Sequence, residues 1–153
     1  MLLEPGEPLP SQKSRWTHDD VDVMGWHDVM IHATAFDQER REFLLDIDYL
    51  FAWVNPKPPD SHYSFWIAAC TWVFRDVKSV EGDFKHHYGL TIDEVSRDDR
   101  TWTIDGHEGE IILIASGFEQ VVRQQPWHVE QQYLRWSQRD GASFDRTPFD
   151  AST

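Results

Sequence analysis

The stretch FLLDIDYLFAW, Phe43 to Trp53, alternates. Phe43, Leu45, Ile47, Tyr49, Phe51 and Trp53 occupy every second position, with Asp46 and Asp48 between them. A period of two belongs to a β-strand with one apolar and one wet side. Wound as a helix at 100° per residue, those odd positions would scatter around the cylinder. The strand reading places Asp46 and Asp48 toward water.

Working outward, residues 26–36 (WHDVMIHATAF) are β-rich, and the polar link 37–42 has hairpin size. The prolines of 54–63 end the strand on the other side. Residues 64–77 (SFWIAACTWVFRDV) are apolar on both faces, as expected of a central strand covered on two sides. Residues 78–85 read as a bend at Gly82, and 86–96 as another strand. A turn at Asp98-Asp99-Arg100 leads to 101–104, and Asp105-Gly106 offers a hairpin turn. Residues 110–118 form a buried strand, which Glu119 to Gln125 can extend after a kink at Gly117. Pro126 and three- and four-residue apolar spacing predict a helix over 127–139, with a terminal edge strand as the alternative. In residues 16–24 Thr17 offers a cap for a short helix, with Asp20 three residues on, but two valines and an early glycine make that helix a poor one. The fold class is mainly β: an antiparallel sandwich or partial barrel of six or seven strands with one C-terminal helix. Links this short exclude a parallel α/β fold. Residues 16–140 read as a single domain between flexible tails at 1–15 and 141–153.

At 153 residues, with 40% hydrophobic, 27% charged and 14% aromatic content, the chain is sized and composed for one packed core. No apolar run reaches the roughly 18 residues needed to cross a bilayer. The acidic, proline-bearing N-terminus does not read as a signal peptide. A net charge of −13 argues against nucleic acid and anionic lipid, whose binding rests on Lys and Arg. Asp76 to Glu110 is the most acidic stretch, with ten acids against four bases. A surface of that kind suits a basic protein partner.

There is no G-x-S-x-G, no glycine-rich phosphate loop and no H-E-x-x-H, so no catalytic residue is assigned and no cofactor is implied. The single cysteine, Cys70, lies in the most apolar strand and reads as packing. Asp28, His32, Asp46 and Asp48 form the candidate metal or acid–base site. Asp46 and Asp48 share a strand side about 6.5 Å apart, and a hairpin would bring them opposite Asp28 or His32. Asp28 and His32 lie about 13 Å apart on a straight strand and join only if it bends. His86 and His87, one on each face of a strand, form a pair that titrates between about pH 5 and 8. The candidate partner-binding residues are Asp46, Asp48, Glu81 and Asp83, with Trp26, Trp102 and Trp127 near element ends. Exposed tryptophans would also serve a homodimer.

The W-H-D-V opening of a strand (Trp26 to Val29), the polar link and the L-x-I-D-Y strand (Leu45 to Tyr49) together resemble small uncharacterised bacterial β-proteins, some grouped with toxin-immunity proteins. The resemblance covers residues 25–75. It implies a cytoplasmic bacterial protein with a binding role and carries no catalytic residues. The leading expectation is a non-enzymatic acidic protein-binding domain of the kind that inhibits a basic toxin. The alternatives are a small-molecule or metal-binding β-domain with hydrolytic activity, and a homo-oligomeric structural subunit.

Overall fold

The computed structural model describes residues 1–84 and 90–151, with Asp83 and Phe84 described by backbone alone. The elements in chain order are β1 (Leu2–Leu3), β2 (Arg15–Thr17), a 3-10 helix (His18–Val23), β3 (Met30–Asp37), β4 (Glu42–Val54), β5 (Ser64–Arg75), β6 (Ser79–Phe84), β7 (Leu90–Asp98), β8 (Thr101–Gly106), β9 (Gly109–Ile114), β10 (Gly117–Val122), β11 (Trp127–Val129) and α1 (Trp136–Arg139). The main path of the sheet runs β2-β10-β5-β4-β3-β7-β8-β9-β6, with β1 beside β4 and β11 beside β5. Among the described residues all pairings are antiparallel except the two-residue β1–β4 contact. The mainly β antiparallel architecture is the one the sequence predicts, with more strands. The extra ones are the short β1, β2 and β11, the strand β6 where a bend is expected, and β10, in which the stretch expected to extend 110–118 past Gly117 forms a strand of its own.

Two layers share a core. The β10-β5-β4-β3 layer turns one face inward through Phe43, Leu45 and Ile47 of β4, Trp72 and Phe74 of β5, and Phe118 of β10. The β7-β8-β9-β6 layer covers that face with Ile92, Trp102, Ile104, Ile111 and Leu113. Trp102 is the joint, with ring centroids 5.6 Å from Phe74 and 5.5 Å from Phe118. The layers are parts of one ribbon. The β5–β10 pair continues, after short breaks at 76–78 and 115–116, as the β6–β9 pair. Asp76, at φ 50°, makes that corner and accepts a hydrogen bond from Ser116 Oγ at 2.7 Å.

Local chemistry explains several boundaries. Thr17 caps the 3-10 helix in a reciprocal capping box with Asp20. Gly117 is required because a Cβ there would stand 2.2 Å from the His18 ring. The hairpin expected at Asp105-Gly106 turns two residues later, at His107 and Glu108, because Gly106 still pairs with Ile92. The expected helix over 127–139 resolves into strand β11, which zips onto the start of β5, and a four-residue α1. Both chain ends lie along the sheet: Ser14 Oγ donates to Asp150, and Phe149 N to the Val122 carbonyl. The strand reading of 86–89 and the His86–His87 pair lie outside the described residues.

Candidate functional sites: a roofed charge network and an acidic outer face

Asp46 and Asp48 project from β4 on the side away from the second layer. That side is not wet. The chain after β11 returns across it as a roof, and both carboxylates have no solvent exposure. Arg139 at the end of α1 is the keystone. Its Nε donates to Asp48 Oδ1 at 2.9 Å, and its Nη1 and Nη2 donate to Asp46 at 2.9 and 2.6 Å. Arg123, just past β10, adds Nη2 to Asp46 Oδ1 at 2.8 Å and Nη1 to Thr71 Oγ1 at 2.9 Å. Backbone N–H groups of Ser143 and Leu134 complete the shells of Asp46 and Asp48 respectively. Burial alone would raise the Asp46 carboxyl, but the Arg139 and Arg123 guanidiniums outweigh it and hold it below the ordinary carboxylate range. In the same way burial opposes the Arg139 charge, and Asp46 and Asp48 hold its pKa above the usual value.

Of the four residues proposed as a metal or acid–base cluster, three enter this network and one does not. The β3–β4 register shifts between Ile31 and Ala33, so His32 is the extra residue of a β-bulge. The bulge turns its ring across to Asp48, with Nε2 2.6 Å from Oδ2, beside the Trp136 ring. Asp28 sits apart in a left-handed turn at φ 67°, bonded by Gln132 Nε2. The exposed carboxylate pair expected on a wet face is therefore a buried, guanidinium-neutralised pair. Arg139 takes the cation's place between Asp46 and Asp48, and among the described residues no three His, Cys, Asp or Glu are placed to hold a metal. For the same reason Asp46 and Asp48 offer nothing to a docking partner while the roof is in place.

The tryptophans divide likewise. Trp102 has no exposure, and Trp26 has 5%, stacked on Trp72 at 5.0 Å with its Nε1 donating to Gln120. Both are core, not surface. Trp127, on β11, is 46% exposed and stays available. Cys70 is fully buried, and burial pushes its thiol up strongly. We expect a disulfide reagent such as DTNB to leave the native thiol unreacted and to titrate one thiol in denaturant.

Glu81 and Asp83 belong to a different surface. Across β7, β8, β9 and β6 the register aligns Glu94 with Asp105, Asp105 with Glu110, and Glu110 with Asp83. The next row runs Ser96, Thr103, Ile112 and Glu81, and the third runs Asp98, Thr101, Ile114 and Ser79. These twelve register positions carry six acids and no Lys or Arg. Glu81, Glu94, Asp98, Asp105 and Glu110 are exposed. Like charges directly opposite on adjacent strands destabilise a sheet, so the row is held at a cost.

No family model, curated protein or solved structure matches this chain. Among the described residues no helix is long and apolar enough to cross a membrane.

Proposed function

We propose that the chain is a non-enzymatic acidic protein-binding domain whose contact face is the outer side of the β7-β8-β9-β6 layer. The observation that carries this reading is the cross-strand row of Glu94, Asp105 and Glu110, with Asp83 at the adjoining register position. A ladder of acids whose register positions carry no Lys or Arg is complementary to a basic surface and would steer its approach. The residues between the acids, Thr101, Thr103, Ile112 and Ile114, supply half-buried contact area. Inhibition of a basic toxin by an immunity-type protein is the specific form of this proposal. It is supported by the −13 charge and by the resemblance at Trp26–Val29 and Leu45–Tyr49.

The test is association kinetics with a basic polypeptide encoded beside this chain's gene. Reversing Glu94 and Glu110 to lysine is expected to slow association about tenfold or more at low salt, and added salt should erase the difference. Equal rates for the two proteins, or a rate indifferent to salt, would sink the reading. A companion measurement needs no partner. Asp105→Asn relieves the like-charge row and is expected to raise stability by roughly 0.2–0.5 kcal/mol at low salt, read from the urea midpoint.

A further inference from the structure

A second feature lies on the opposite side of the molecule and owes nothing to the acidic ladder. The register of β4 against β5 shifts between Leu50 and Ala52, so Phe51 is bulged and Trp53 crosses to the roofed side, opposite Phe65. There its ring stands 5.6 Å from Tyr63 at 73° and 5.1 Å from Phe65 at 77°. Tyr133, from the segment between β11 and α1, helps line the same open hollow of about 500 Å³. Tyr63 and Tyr133 are left 43% and 47% exposed. The size is that of a small-ligand site.

The lining chemistry selects the ligand. Aromatic ring faces are electron-rich and attract cations that approach with their own apolar surface. Among the described residues Glu130 is the one carboxylate on the wall, and no Lys or Arg lines the hollow. His62 is the other titratable group facing it besides the two tyrosines. An anion finds no Lys or Arg here to offset Glu130, and a neutral apolar ligand gains nothing from that carboxylate. We propose that this hollow binds a small quaternary ammonium ion, its methyl groups against Trp53, Tyr63 and Tyr133 and its charge balanced by Glu130.

The experiment titrates the full chain with choline chloride and, in parallel, with 3,3-dimethyl-1-butanol, which keeps the shape and replaces the charged nitrogen by carbon. Calorimetry or ligand-observed NMR is expected to give saturable choline binding and at least about tenfold weaker binding of the neutral alcohol. Tyr133→Ala and Glu130→Gln change outward-facing groups, so both should melt like the parent, and each should weaken choline about fivefold or more. The proposal fails if choline binding does not saturate, if the alcohol binds equally well, or if either correctly folded variant binds choline as the parent does. None of these outcomes bears on association at the acidic face, which is read separately.

Discussion

Arg139→Met lowers the unfolding free energy by about 3–5 kcal/mol, a large part of the total for a domain of this size. The loss comes less from the missing attraction than from what is left behind. Asp46 and Asp48 remain at zero exposure, with only Arg123, His32 and backbone N–H groups to satisfy them. A buried carboxylate without its counter-ion costs more than the pair contributes when intact. Urea unfolding of the single and double variants checks the assignment: Asp48→Asn combined with Arg139→Met should cost clearly less than the two singles added, because they share one interaction. Acid sensitivity gives a second readout. The Asp46 carboxyl is held below its ordinary value in the folded chain. It therefore contributes stability that is complete above the unfolded carboxylate range, near pH 4, and is lost as pH falls through the lowered folded value. Without Arg139 the folded value rises toward the unfolded one, so Asp46 contributes less of this stability and the part lost on acidification should shrink.

Trp102→Ala is the second large effect, with an expected loss of about 3–5 kcal/mol. The side chain has no exposure and packs edge-on to Phe74 and Phe118, while Arg97 lies over its ring at 4.8 Å. Its removal opens a cavity between the layers, and neighbouring rings cannot collapse to fill it. Trp127→Ala, at a half-exposed site, should shift stability by no more than about 0.5 kcal/mol. Urea midpoints for the pair separate a core tryptophan from a surface one, and equal effects would contradict the two environments.

The paired layers were legible in the strands themselves. The alternation of Phe43 to Tyr49 and the two-sided apolar run of β5 are consequences of backbone geometry, which local sequence records directly. The alternation fails at Phe51 because a β-bulge depends on register with a neighbour, which no single strand reveals. The burial of Asp46 and Asp48 carried one readable signal. If β5 is covered on both faces, a strand paired to it along its length is covered too, and carboxylates there need buried cations. What remained hidden was the identity of those cations. Arg139 reads as a helix-end charge in sequence, and its 93-residue separation from Asp46 is closed only by the path of the roof. The acidic ladder was half visible: Glu81 and Asp83 stand out by density, whereas alignment with Glu94, Asp105 and Glu110 needs the order of four strands.

The corner at Asp76 and Ser116 joins both layers through the same two stretches of chain. Neither layer can melt alone without tearing the pair of strands that builds the other, so loosening spreads from end to end. A ligand seated anywhere on the molecule then shifts the whole transition by mass action. Differential scanning fluorimetry against mixed candidates would register an occupant of either surface as a single later transition, with no need to know beforehand which one it chose.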